Sequence, residues 1–194
     1  MLPSTLFSSS RSLAATRRLR AAGAVLSLGL VAALASSCGA YEEFPPACPN
    51  LSLLKEGADL TRFRPGGSDL TDMVTDARIT AVPAKCSTDA KNPGKVRATL
   101  QVTMDIARGP AATGRAVTLT YFVAVTEGER VLDEQDYPLQ AGFPSNIDRV
   151  SVTGNEIDLL LPVTPKKSAA AYTVYVGLRL TPEELAFNRK KGVR

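Results

Sequence analysis

The sequence predicts a mainly β protein, an antiparallel β-sandwich with a short C-terminal helix. The clearest observation lies in residues 95–107, where apolar and polar residues alternate over more than ten positions. This is the pattern of a strand with one face in the core and the other in water. Further segments rich in β-branched and aromatic residues follow at short spacing, with no helical pattern between them. About seven such strands in succession favour two packed sheets.

Each predicted strand is bounded by residues that interrupt strands. Cys48 to Cys86 is predicted to begin irregularly, and its one secure strand, residues 76–82, ends before Pro83. Residues 95–107 end at Arg108-Gly109-Pro110, and the Gly128 turn joins two strands in a hairpin. The predicted strands after residue 107 are 115–126, 130–139, 147–152, 156–163 and 171–180.

The chain predicts one helix, directly after the last strand. Thr181 can serve as the N-cap, Pro182 suits the first helical position, and Glu184 completes a capping box. Tyr172 favours a particular kind of sandwich, the immunoglobulin-like or fibronectin-III-like one. In those domains a corner tyrosine precedes a core strand, and Tyr172 has this position in the sequence. A plain strand tyrosine is the alternative at this position.

The first 37 residues have the composition of an export signal. They hold four arginines and no acidic residue, followed by an uncharged apolar run of about 15 residues. This run is shorter than the roughly 20 residues that span a bilayer as a helix, so cleavage is favoured over a retained transmembrane anchor. The sequence therefore predicts a signal peptide at 1–37, a tether at 38–47 and a single domain at 48–194.

Leu34-Ala35-Ser36-Ser37-Cys38-Gly39 resembles the lipobox of bacterial lipoproteins, in which the cysteine is acylated and becomes the first residue. The usual leucine position, three before the cysteine, holds Ala35. The resemblance implies lipidation of Cys38 and attachment to a membrane that faces the periplasm. Gly39, which follows the cysteine where enteric inner-membrane proteins carry aspartate, favours the outer membrane over the inner. Cleavage after Ala35, which would release a soluble periplasmic protein, is the alternative.

The remaining cysteines, Cys48 and Cys86, are predicted to form a disulfide. The chain has three cysteines, and if Cys38 is acylated an even number remains. These two can form a disulfide in an oxidising compartment. Two buried free thiols are the alternative.

Composition excludes several classes of function. The chain has no histidine, which excludes Ser-His-Asp catalysis and histidine-ligated metals. Beyond residue 37 the 19 basic residues balance the 19 acidic residues, so a nucleic-acid partner is not expected. No cofactor, metal or catalytic residue is predicted. Asp69, Asp72 and Asp76 lack the spacing of a calcium loop and are expected to be solvated carboxylates.

The best candidate for a partner contact is the segment Arg62-Phe63-Arg64, which leads into the predicted turn at Gly66-Gly67. Arginine and aromatic residues are enriched among the residues that dominate interface energies. The alternative is that Phe63 packs under the loop and the arginines are solvated. For Asp133, Glu134 and Asp136 on the predicted hairpin we expect a position in water, where they limit edge pairing. For Lys166-Lys167 a solubilising role is favoured over contact with lipid headgroups.

Several segments of the chain resemble a family of uncharacterised alphaproteobacterial lipoproteins. They are Cys48-Pro49, 57–63, Arg108-Gly109-Pro110, 121–125 and 180–185. The resemblance implies a place in the cell envelope and no mechanism. The expected function is a non-catalytic, lipid-anchored module that binds another envelope protein or assists an assembly. The alternative is a cell-wall hydrolase that acts through carboxylates.

Overall fold

The computed structural model describes residues 46–192, which form eleven strands, three short 3-10 helices and one α-helix. The predicted signal peptide, Cys38 and most of the predicted tether lie outside the described residues. The strands are β1 (Asn50–Leu53), β2 (Asp59–Phe63), β3 (Met73–Ala81), β4 (Ala84–Thr88), β5 (Lys95–Leu100), β6 (Thr103–Arg108), β7 (Ala116–Glu127), β8 (Arg130–Gly142), β9 (Arg149–Thr153), β10 (Ile157–Pro162) and β11 (Tyr172–Leu178), and the α-helix is α1 (Pro182–Lys191). The predicted mainly β fold with a short C-terminal helix is confirmed.

Three sheets are formed, with the strand orders β1-β11-β7-β8, β10-β5-β4 and β2-β3-β6-β9. All neighbouring strands in them are antiparallel except β1 and β11, which are parallel. The parallel pair departs from the purely antiparallel arrangement that the sequence predicts. It arises because the first strand lies beside the last, which the spacing of apolar residues does not encode.

The β10-β5-β4 and β2-β3-β6-β9 sheets, which are wholly antiparallel, are joined by three chain segments that pass from one sheet to the other. β3 continues into β4, β5 into β6, and β9 into β10, and the continuing strands keep the same neighbours. Backbone hydrogen bonds connect the breaks, from Gln101 N to Pro83 O at 3.2 Å and from Gly154 N to Val102 O at 2.9 Å. The three segments therefore bend at the same level.

The single strand predicted at 95–107 is two strands, β5 and β6. Alternation continues through the break, because Leu100 and Val102 are both buried and Gln101 between them is not. The core lies on the same side before and after the bend, so a period-two pattern cannot reveal it. Sequence analysis also did not identify β1, β2 and β4. In β2 the buried residues include Asp59 and Thr61, whose polarity hides the strand.

One hydrophobic core connects the sheets. Its fully buried side chains come from all three, and the largest are Tyr121, Tyr172, Leu60, Leu100, Met104, Ile106, Leu119 and Leu178. The predicted disulfide is confirmed: Cys48 precedes β1, Cys86 lies in β4, and their Cα atoms are 5.6 Å apart. The bond joins the segment before β1, in the β1-β11-β7-β8 sheet, to the β10-β5-β4 sheet across 38 positions of sequence.

Candidate functional site

The candidate site lies at the distal end, by which we mean the end of the domain where β2 and β11 stop and β3 and α1 begin. The first turn of α1 is fixed here by local sequence. Thr181 Oγ1 accepts a hydrogen bond from Glu184 N at 3.2 Å, and Glu184 Oε2 accepts one from Thr181 N at 2.9 Å. The predicted capping box is thus confirmed. Two concave surfaces flank this helix.

The first surface, which we call the Arg62 groove, has a volume of about 360 Å³. The segment that carries the predicted partner-binding residues forms one wall, and the beginning of α1 forms the other. The groove is lined by Thr61, Arg62, Phe63, Arg64, Pro65, Gly66, Gly67, Thr181, Glu183, Glu184 and Phe187.

Each of the three predicted partner-binding residues contacts another part of this chain. Arg62 Nε lies 2.8 Å from Glu184 Oε1, and the Phe63 ring packs edge-on against Phe187 with centroids 5.0 Å apart. Arg64 pairs with Asp72 and keeps 64% of its side chain exposed. Arg62 and Phe63 therefore hold the helix on the sheet, and Arg64 is the member of the set that is most accessible to a partner.

Asp72 organises the loop behind Arg64. Burial of this carboxyl would raise its pKa, but hydrogen bonds from the backbone of Asp69 and Ser68 and the charge of Arg64 together lower it. Asp69 and Asp72 form a capping box on the 3-10 helix Leu70–Asp72, whereas Asp76 lies on β3 and accepts a hydrogen bond from the Thr61 hydroxyl at 2.9 Å. Asp69 and Asp72 thus share one capping box and Asp76 serves a separate contact, and Asp72 is buried, although the sequence predicts a solvated carboxylate. Within residues 46–192 no group of three or more acidic or cysteine side chains could hold a metal ion.

The second surface, the apolar cleft, has a volume of about 510 Å³ and lies on the other side of α1. Gly177 lets the Phe122 ring approach the strand closely, because a Cβ at this position would lie 3.0 Å from the ring. The lining is mainly apolar and consists of Leu54, Lys55, Glu56, Gly57, Phe122, Leu178, Arg179, Leu180 and Leu185.

Arg179 is the main charged group of the apolar cleft. Its guanidinium lies 4.5 Å from the centre of the Phe122 ring and pairs with Glu134 at 2.6 Å and also with Asp136. These carboxylates raise the pKa of Arg179, Asp136 having the larger effect. Two of the three hairpin carboxylates are therefore partners of Arg179, although all three are exposed as predicted. The charge of Arg179 is neutralised by these partners, and Lys55 is the other cation of a lining that is otherwise mainly apolar. The cleft therefore suits a largely apolar side chain.

A third surface, the polar groove, has a volume of about 490 Å³ and lies on the water-facing side of the β2-β3-β6-β9 sheet. Asp76 and Asp105 line it together with Arg78 and Arg149. Arg78 and Asp105 are directly opposite in the β3–β6 register, which places Asp76 diagonally across from Asp105. The groove therefore presents two carboxylates and two guanidinium groups to solvent.

Sequence analysis singled out the segment that forms one wall of the Arg62 groove, where Phe63 packs inward as the alternative interpretation expects, and it missed the apolar cleft. One signal for the cleft is present in the last strand, where Gly177 interrupts a run of large residues and Arg179 stands between Leu178 and Leu180. That pattern indicates a position without a side chain, Gly177, followed closely by a cation, Arg179, at the end of a core strand. It does not identify Phe122 or Glu134 as neighbours.

Comparison of the chain with protein-family models, with curated proteins and with solved structures gave no match. In the part of the chain from residue 46 to 192, no helix is long and apolar enough to cross a bilayer.

Proposed function

We propose that this chain is a lipid-anchored, non-catalytic binding or assembly module of the bacterial cell envelope, held by acylated Cys38 and facing the periplasm. The observation that carries the proposal is the Cys48–Cys86 disulfide. Disulfides persist in oxidising compartments such as the periplasm. The bond uses two of the three cysteines, which leaves Cys38, at the end of the apolar run, for lipid. The outer membrane is favoured by Gly39.

Fatty-acid labelling tests the anchor. Cells expressing the wild-type chain are grown with a clickable fatty acid, and the purified protein is assayed for label. We expect wild type and Cys86→Ser to carry label and Cys38→Ser to carry none, because only the last change removes the acylated thiol. Unlabelled wild-type protein, or equal labelling of Cys38→Ser, would remove the lipoprotein assignment.

We infer that the domain belongs to the immunoglobulin-like or fibronectin-III-like sandwiches. Tyr172 is 2% exposed at the start of β11, and its hydroxyl donates a hydrogen bond to Pro162 O at 2.7 Å. A buried tyrosine that bonds to the upstream backbone is the corner found in those folds, and here the carbonyl lies ten residues upstream, a longer span than the usual few.

The distal end is the proposed surface for another envelope protein. Arg64 lies next to the Phe63–Phe187 contact and is largely exposed, a combination of arginine and aromatic groups that interfaces favour. The second surface, the apolar cleft, lies on the other side of the same helix. A partner that spans α1 could thus contact both.

Affinity purification from detergent-solubilised envelopes, after cross-linking, tests this surface. Arg64→Ser removes the exposed arginine and leaves Arg62 and Phe63 to hold the helix. Arg130→Ser is the matched control, because Arg130 is 73% exposed and also pairs with a carboxylate, Glu127. We expect one reproducible partner that Arg130→Ser retains and Arg64→Ser loses. Equal retention by both variants would contradict a contact at Arg64.

The polar groove favours one alternative, a hydrolase that acts on cell-wall material. General acid and base chemistry on sugars uses a pair of carboxylates, and Asp76 and Asp105 share this groove. Purified protein would be incubated with peptidoglycan and the released fragments measured. Turnover that Asp105→Asn abolishes and Asp133→Asn leaves unchanged would favour this alternative over the binding module.

A further inference from the structure

The described chain begins at the end of the domain opposite to the distal end, here called the basal end. It comprises residues 46–50, 88–95, 127–130 and 162–171. Asn50 Nδ2 donates a hydrogen bond to Ala170 O at 3.1 Å, and Val163 N donates one to Gly94 O at 2.8 Å. These bonds connect the first described residues with the loop before β11, and that loop with the loop before β5.

The basal end has an excess of positive charge. Its segments contain five basic and three acidic residues. Lys167 lies 2.6 Å from Glu127, which also pairs with Arg130, and Asp89 pairs with Arg97 at 3.0 Å. The carboxyl of Asp89 is further held by hydrogen bonds from the Asn92 side chain and the Lys91 backbone. Two of the three carboxylates are thus occupied within the domain.

Three lysines of the basal end remain for a partner. Lys91 and Lys166 are exposed and Lys95 is half-buried. None of them forms an ion pair with any residue between 46 and 192. Glu129 is the one acidic residue of these segments without such a pair. Lys91 and Lys95 lie four positions apart, and the Val163–Gly94 hydrogen bond joins their segment to the loop that carries Lys166, about 70 positions later in the chain. A reading of Lys166-Lys167 alone could not anticipate this.

We propose that Lys91, Lys95 and Lys166 form a face that contacts the anionic phospholipid headgroups of the bilayer holding Cys38. This inference rests on the proposed function, because acylation of Cys38 brings the basal end to the membrane. The ten residues from Cys38 to Cys48 span at most about 33 Å, so the end of the domain where the chain begins stays near the headgroups. Basic residues close to an anionic surface are attracted to it. The distal end, with the Arg62 groove, then points away from the membrane.

Vesicle flotation of the unacylated chain tests the face apart from the anchor. The protein is residues 38–194 with Cys38→Ala, which retains the whole described domain with its disulfide and core. It is mixed at low ionic strength with vesicles of phosphatidylcholine, either alone or with about 30% phosphatidylglycerol, which makes the surface negative. We expect binding to the anionic vesicles, release by added salt, and no binding to phosphatidylcholine alone.

Two triple variants separate a specific face from general attraction. Lys91→Gln, Lys95→Gln and Lys166→Gln together should weaken binding to anionic vesicles by at least about tenfold, since each lysine near the surface contributes about fivefold. The control replaces Lys55, Arg149 and Lys190 by glutamine. These three exposed cations have no ion pair in the described chain and lie away from the basal end, and their loss changes net charge equally. The control should bind within about twofold of the parent.

Equal weakening by both triple variants, or no preference of the parent for anionic vesicles, would overturn the inference. The second result needs no lysine or arginine substitution, so it stands even if a triple variant folds poorly. Fatty-acid labelling of Cys38 distinguishes the two failures. Labelled protein without a lipid preference leaves the proposed function in place and removes the lysine face, whereas unlabelled Cys38 removes the anchor itself.

Discussion

Glu184 joins the C-terminal helix to the β-domain, and replacing it by alanine tests how that attachment is made. The side chain is 8% exposed and accepts two hydrogen bonds, from Thr181 N at 2.9 Å and from Arg62 Nε at 2.8 Å. Loss of a helix cap costs about 1 kcal/mol. Loss of a charge-assisted hydrogen bond costs about 1.5–3 kcal/mol, and the lower value applies because Arg62 is 38% exposed and can be solvated. We expect Glu184→Ala to lower the free energy of unfolding by about 2–3 kcal/mol.

Glu184→Gln separates the two contributions. The glutamine carbonyl can still accept from Thr181 N, while its amide group cannot pair with the guanidinium of Arg62. We expect a loss of about 1–2 kcal/mol, smaller than that of alanine by about the value of the cap. Urea unfolding of the oxidised protein, followed by circular dichroism, gives these differences. Glu129→Ala, at an exposed turn, is the control and should change stability by less than about 0.5 kcal/mol.

A double-mutant cycle with Arg62→Ala measures the ion pair itself. If the two residues act through their mutual contact, the double variant should be more stable than the sum of the single losses predicts, by about 1 kcal/mol or more. A coupling energy near zero, together with a loss for Glu184→Ala below about 0.5 kcal/mol, would refute the reasoning. Arg62 would then be available for a partner rather than committed to α1.

Three further changes test other parts of the structure. Cys48→Ser with Cys86→Ser should lower the free energy of unfolding by about 4 kcal/mol, because the unfolded chain regains the entropy that closing a loop of this length removes. Chemical denaturation of the double variant and of the oxidised wild type measures the difference. Tyr172→Phe should cost about 1–2 kcal/mol by leaving Pro162 O without its donor, measured against half-exposed Tyr175→Phe as the control. Hydrogen bonds from the Asn92 side chain, together with the Lys91 backbone and Arg97, hold the pKa of Asp89 below its ordinary 3.8. This carboxylate therefore stabilises the fold above that pH and the stabilisation is lost as pH falls through the lower folded value, so Asp89→Asn should flatten the fall of stability between about pH 5 and 3.

The sequence by itself determined the features that depend on neighbouring residues. The capping box at Thr181 and Glu184 is correct because cap and partner are three positions apart. The strands around the Gly128 turn were predicted because alternation and a turn are local signals. The pairing of Cys48 with Cys86 is a different case, because it was predicted from the number of cysteines and the predicted export signal rather than from a local pattern.

Tertiary structure alone decided the features that join distant residues. The break between β5 and β6 leaves the alternation intact, so no local pattern marks it. β1 lies beside β11 although about 120 positions separate them, as in the Asn50–Ala170 bond. The grooves follow the same rule: Arg62 meets Glu184, and Arg179 meets Glu134, only when the strands are packed. A single sequence records the type of each side chain and its local spacing, whereas the partner of each side chain is set by strand order, which emerges from packing the whole core.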